Sequence, residues 1–217
     1  MLGWWVAATP QVQASIGAPE EIRRLVEHDF EDYYSAEPAA SFAARVWTNN
    51  AWVAAGALIM GVAILPVVYV LWMNALNVGI AGGLMAAHGR ADIFFGLITP
   101  HGLLELTAVF VAAGAGLRLG WGWIDPGRRP RGEVLAERGR AAVGIAIGLL
   151  GVLLISGAVE AFVTPSGLPT WARIAVGLVV WAAFIGYVWT YGRRAALAGE
   201  QGDIEQSERG AVLPTAG

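Results

Sequence analysis

The residues of this chain best placed to do chemistry are His101, Glu105 and Glu160. His101 and Glu105 stand four apart in Pro100-His101-Gly102-Leu103-Leu104-Glu105, so on a helix they share one face. Glu160 lies just before Phe162-Val163-Thr164-Pro165, near the end of another apolar run. An ionised side chain at mid-bilayer costs roughly 2.5–3.5 kcal/mol on insertion scales, and less toward the interface. Such groups usually face the bundle interior and find partners there. Three chemistries suit the trio. A histidine hydrogen-bonded to a carboxylate would tie two helices together, and this structural reading is favoured. Histidine with carboxylates is also a ligand set for Zn²⁺ or a similar ion. A row of ionisable groups in a membrane can relay protons or ions. The spacing is not the HExxH pattern, which needs a second histidine on the same face.

The other intramembrane polar residues carry weaker signals. Asn74 and Asn77 are three apart on one helix face, the spacing of amides that bridge helices for roughly 0.6–2 kcal/mol. Arg118, near one end of its helix, is expected to snorkel to the surface, and Arg173 to do the same at the other side. Asn49 and Asn50 read as a helix start. His88 and Asp92 fall in a predicted loop without a specific pattern. The chain has no cysteine, which excludes disulfides, thiolate metal sites and cysteine nucleophiles. It has no phosphate-binding glycine loop and no Gly-x-Ser-x-Gly elbow. No catalytic residue, resident metal or other cofactor is therefore expected, and the chain is read as a non-enzyme.

The elements that must position these groups are membrane helices. Of 217 residues, 56% are hydrophobic and only 14% charged, against about 25% charged in soluble domains. Mean hydropathy is +0.56. With a net charge of −3 nothing points to nucleic acid. All 14 basic residues are arginine, which with the Ala and Gly excess reads as coding bias. The ten Trp suit interfacial belts. Five apolar stretches are long enough to span: about 49–65, 67–87, 99–123, 139–163 and 169–192. Pro66 separates the first two, either as a tight hairpin or as a broken, partly re-entrant helix. Residues 1–8 are apolar but too short to span, and segment 1–17 is read as the remnant of a truncated first transmembrane helix. Residues 18–48 are read as an extracytoplasmic segment. Within it 18–34 is amphipathic, with Ile22, Leu25, Val26, Phe30 and Tyr33 at helical spacing, Pro19 as first residue and Glu20 and Glu21 at the positive end. Its acidic polar face argues for packing on the protein, not for docking onto anionic lipid. The helix bundle occupies 49–192, and the polar 193–217 reads as a disordered cytoplasmic tail.

Arginine sets the expected topology. Arg128, Arg129, Arg131, Arg138 and Arg140 follow the third span, and Arg193 and Arg194 follow the fifth, two crossings later. Both clusters fit the cytoplasmic side, which puts the connections 88–98 and 164–169 outside. His101, Glu105 and Glu160 then share one depth near the outer rim. Gly79 and Gly83, Gly116 and Gly120, and Gly144 and Gly148 are four apart on three helices, a spacing that lets helices approach closely in a compact bundle or a homo-oligomer.

The stretch Ile98-Thr99-Pro100-His101-Gly102-Leu103-Leu104-Glu105-Leu106 resembles the PHG…E signature of the stage II sporulation protein M family. Ala112-Ala113-Gly114-Ala115-Gly116-Leu117-Arg118-Leu119-Gly120 is similar to that family's glycine-rich continuation. Asn49-Asn50, Asn74 and Glu160-Ala161-Phe162-Val163-Thr164-Pro165 also fit its pattern, over about residues 20–194. Family members usually have a longer N-terminal part with a complete first helix, and there this chain departs. The resemblance implies a multi-pass protein of the bacterial inner membrane. Its named member works in engulfment during sporulation, as a scaffold for membrane-anchored peptidoglycan-degrading partners. A lysine-free chain looks more like relatives from bacteria that make no spores, so "scaffold" is carried over and "sporulation factor" is not. The expected partners are the lipid bilayer and other membrane or envelope proteins. A transporter or permease subunit, and an intramembrane metalloenzyme, are the alternatives.

Overall fold

A computed structural model describes residues 1–35 and 37–200. Among these residues the chain forms nine α-helices and two π-helical turns, with no strand. Four helical runs are long and apolar enough to cross a membrane: α6 (Leu65–Ala87), α7 (Ala91–Ile124), the run Arg131–Val163 and α9 (Thr170–Leu197). The run Arg131–Val163 is α8 (Arg131–Ala158) continued by a π-helical turn, Val159–Val163. The protein is thus a polytopic all-α membrane bundle. The first expected span falls in α5 (Ala39–Gly61), whose 23 residues extend about 34 Å. Its first half carries Arg45, Asn49 and Asn50 into the bundle.

Several boundaries differ from those expected. Asn49 and Asn50 do not start a helix: α5 begins at Ala39, after Pro38, and the two amides sit mid-helix. A buried stripe of Phe42, Val46, Asn50, Ala54, Ala57 and Gly61 runs the length of α5 at near-helical spacing, so packing holds it continuous through the amide pair. Residues 39–48 are therefore continuous with the helix that carries the first expected span. Helix α7 starts at Ala91 instead of Thr99, with Pro100 inside it. A proline within a membrane helix is tolerated where a neighbour packs on the freed backbone. Here α9 does so: a Cβ on Gly177 would lie 2.2 Å from the Pro100 carbonyl oxygen. Helix α8 starts at Arg131, shortening the arginine-rich connection to 125–130. Helix α9 continues past 192 to Leu197, so Arg193 and Arg194 are helical. The rest of the predicted tail, 201–217, lies outside the described residues.

The connection between α5 and α6 is a tight hairpin. Val62, Ala63 and Ile64 make the turn, Ile64 at φ 64°, and Pro66 sits in the first turn of α6. A β-branched residue seldom adopts that backbone, and the short span between two packed helices imposes it.

Close helix approach explains two of the three glycine pairs. The short helix α1 (Leu2–Ala8) lies on α6, where a Cβ on Gly83 would fall 2.6 Å from Val6 Cβ. On α7, a Cβ on Gly116 would fall 2.1 Å from Leu58 O, and one on Gly120 2.4 Å from Val62 O. Gly144 and Gly148 face open space. After α2 (Pro10–Ile16), the amphipathic segment forms α3 (Pro19–Arg24), a π-helical turn (Leu25–Asp29) and α4 (Phe30–Asp32). It packs on the protein as expected, with Ile22 and Val26 buried against Val6, Leu84, Met85 and Phe94. The π turn adds a residue to the helical period, so Tyr34 is buried at 6% exposure and Tyr33 stays at 44%.

Exposed aromatic residues mark two levels. Trp171 lies at one end of α9 and Trp189 toward the other, 18 residues on, or about 27 Å, close to the thickness of a hydrocarbon core. Trp121 and Trp123 end α7 beside the arginine-rich connection.

Candidate polar site at one rim of the bundle

Two elements, α7 and the π-helical turn, bring the cluster together around His101. The histidine lies on α7 one turn before Glu105, while Glu160 comes from the π-helical turn after α8. His101 is 4% exposed and Glu160 5%, and Glu105 is half-buried. One donor atom from each of the three lies within 4.8 Å of the others. His101 Nε2 stands 3.8 Å from Glu160 Oε2, beyond hydrogen-bond length. The expected histidine–carboxylate hydrogen bond is therefore not formed. The other ring nitrogen, Nδ1, faces the buried Thr164 hydroxyl at 3.4 Å. Asn50, buried on α5, lines the same cavity as Glu105 and accepts from the Asn49 amide at 3.3 Å.

The backbone around the cluster is fixed from several sides. Ser156 Oγ donates to the His101 carbonyl oxygen at 3.1 Å, and Gly177 of α9 seats on the preceding residue, Pro100. Arg173 does not snorkel: it is half-buried, and its guanidinium donates to Thr164 O at 2.7 Å and to Thr170 Oγ1 at 3.1 Å. This ties the start of α9 to the loop after the π turn, where wide winding leaves carbonyls free to accept.

A partly open cavity of about 530 Å³ lies over the cluster, lined by Tyr33, Tyr34, Arg45, Asn49 and Asn50 among others. The Tyr34 ring centroid is 6.0 Å from that of His101. Arg45 lies over the Tyr33 and Phe42 rings and pairs with Glu37 at 3.3 Å. Burial first, then the Glu160 charge, hold the Tyr34 phenol well above its ordinary pKa, and the same causes raise Tyr33 less. Directly beyond Glu105 the polar lining ends. Ala54, Ala57, Ala108, Val109, Ala112, Ala113, Leu149 and Leu153 close the seam of α5, α7 and α8 as one buried apolar cluster.

The depth of the site follows from helix rise. His101 lies 20 residues from Trp121, and Glu160 20 residues from Arg140, each about 30 Å along its helix. The cluster is thus about one hydrocarbon thickness from the arginine-rich end. Arg90 and Arg173 share its rim: Arg90 pairs with Glu31 of α4, and Glu31, Asp92 and Arg173 line one cleft.

The structure does not bring the other sequence candidates here. Asn74 turns back on its own helix, donating to Val70 O at 2.9 Å, and bridges nothing, while Asn77 is exposed. Arg118 is exposed near the opposite end, its carbonyl accepting from Arg138 at 2.9 Å. Sequence reading missed Arg45, Tyr34 and the roles of Asn50 and Thr164. The polar positions 45 and 49, one turn apart in an otherwise apolar helix, were the available signal.

The fold and the site define a multi-pass helical membrane protein with a His/Glu/Glu cluster, two of its members buried, at the rim away from its arginine-rich end. The chain belongs to the stage II sporulation protein M family, whose model matches residues 1–165. That match runs from α1 to Pro165, taking in all three residues of the cluster and stopping before α9. No curated protein and no solved structure matches the chain.

Proposed function

We propose that this protein is a non-enzymatic scaffold of the bacterial inner (cytoplasmic) membrane that organises other membrane or envelope proteins, peptidoglycan-remodelling ones among them. Its arginine-rich connection and C-terminus face the cytoplasm, by the positive-inside rule. The observation that carries the reading is on α8. Gly144 and Gly148 are exposed with nothing within 4 Å of either, leaving a small-xxx-small face of the kind on which helices associate in lipid. Beside it runs a groove of about 210 Å³ between α5 and α8, lined by apolar side chains alone, among them Ala55, Ala146, Ile147 and Leu150. Helix α9 likewise buries only Gly177 and turns most of its length outward.

A transporter would need a polar route continuing past Glu105. The apolar closure by Ala108, Ala112, Ala57 and Leu153 supports a blind vestibule in its place. The scaffold is tested with a photo-crosslinker at Ile147, in full-length tagged protein in native membranes. Specific membrane proteins should be captured there, and not from an equivalent probe at Trp4. Capture of the chain itself alone, or of nothing, contradicts the scaffold.

A further inference from the structure

We propose that His101, Glu105 and Glu160 bind one divalent transition-metal ion of the Zn²⁺ class, with an open coordination position facing the cavity. This goes beyond the scaffold reading and departs from the expectation of no metal.

The donor geometry is the first support. Three donors on three turns of two elements lie within 4.8 Å, and the 3.8 Å gap between His101 Nε2 and Glu160 Oε2 is too long for a hydrogen bond. In a tetrahedral site with bonds of about 2.0–2.1 Å, neighbouring donors stand about 3.4 Å apart. Donors that now stand 3.8 Å apart, and up to 4.8 Å, would close to that spacing on binding, a movement that falls to the carboxylate side chains.

Charge is the second support. Two carboxylates and a neutral imidazole carry two negative charges, matched by one divalent cation. Isolated buried carboxylates are expensive, and a bound cation reverses that penalty. The basic residue lining the cavity, Arg45, is already paired with Glu37.

An outer partner is the third. Thr164 meets His101 Nδ1 and so aims Nε2 at the carboxylates. Metal-bound histidines are oriented in this way. Glu160 stands on a π turn, a local winding often found at functional sites. With three protein donors, the fourth position is left to a water or ligand from the 530 Å³ cavity. The competing arrangement is a proton shared between the carboxylates, with no cation.

The test uses full-length protein in nanodiscs, stripped with a chelator and titrated with Zn²⁺ and, for its visible spectrum, Co²⁺. The expected result is one ion per chain and Co²⁺ d–d bands of a low-coordinate N/O site. His101→Asn and Glu160→Gln should each abolish stoichiometric binding. Thr164→Val keeps all three donors and should weaken binding about 10–100-fold. His88→Asn, at a histidine bound to its own helix through Leu84 O, should bind as wild type. Should a ligand variant fail to fold, the wild-type titration and Thr164→Val still decide. Substoichiometric binding by the wild type overturns the site, as does Co²⁺ binding unchanged in folded His101→Asn and Glu160→Gln.

Discussion

Replacing Gly116 by alanine tests the packing that seals the vestibule. A Cβ there would sit 2.1 Å from Leu58 O and 3.0 Å from Gly61 Cα. Carbon and oxygen in weak contact keep about 3.3 Å, so α5 and α7 must separate by about 1.2 Å. Neither neighbouring atom can swing aside, since both belong to helix backbone. Overpacking of this kind costs about 1–3 kcal/mol, and the opened seam also loses dispersion contacts. Alanine's better helix propensity returns up to about 1 kcal/mol. The net expectation is a loss of about 1–2 kcal/mol, or about 2–8 °C in apparent Tm for a chain of this size. Thermal unfolding in nanodiscs, followed by Trp fluorescence, measures it. Gly144→Ala is the internal control, because open space surrounds that position and only the propensity gain remains. Gly116→Ala melting at or above Gly144→Ala would refute the close seam.

Two further outcomes follow from the site. Because burial and Glu160 raise the Tyr34 pKa, the folded state holds that phenol neutral where the unfolded chain ionises it. Tyr34 thus contributes stability that is whole below about pH 10 and falls as pH rises further, and Tyr34→Phe should flatten that decline in a pH-resolved melting series. Gly177→Ala would push α9 off the Pro100 carbonyl, and crosslinking between paired cysteines at positions 107 and 181, where Trp181 Nε1 donates to Thr107 Oγ1 at 3.0 Å, should fall relative to the parent pair.

Much of the fold was legible because lipid permits so little else. Long apolar runs with few charges fold as helices when the backbone must satisfy itself, and Pro66 marked the boundary between two of them, falling in the first turn of α6. The convergence of His101, Glu105 and Glu160 was legible for a related reason: arginine fixes which ends share a side, and helix rise then fixes depth. Local signals failed where tertiary packing overrode them. Asn49 and Asn50 resemble caps, but the buried stripe through Phe42, Val46 and Ala54 carries α5 past them. Tyr33 fits an unbroken 3.6 period, and one π turn hands its place to Tyr34. Asn74 had the chemistry to bridge helices, yet the Val70 carbonyl lies within reach of its amide on its own helix. Pro100 reads as a start until Gly177 supplies the partner that lets α7 run through it.

Accessibility on either side of Glu105 bears most directly on the whole arrangement. The chain has no native cysteine, so single cysteines report cleanly. Asn49→Cys, at the cavity lining, should react with a membrane-impermeant maleimide applied outside intact cells. Ala112→Cys, in the dry cluster beyond Glu105, should stay unreactive from both faces of the membrane. Labelling of position 49 from the cytoplasmic face alone, or of position 112 from either face in a folded protein, would contradict a blind vestibule opening at the rim opposite the arginines.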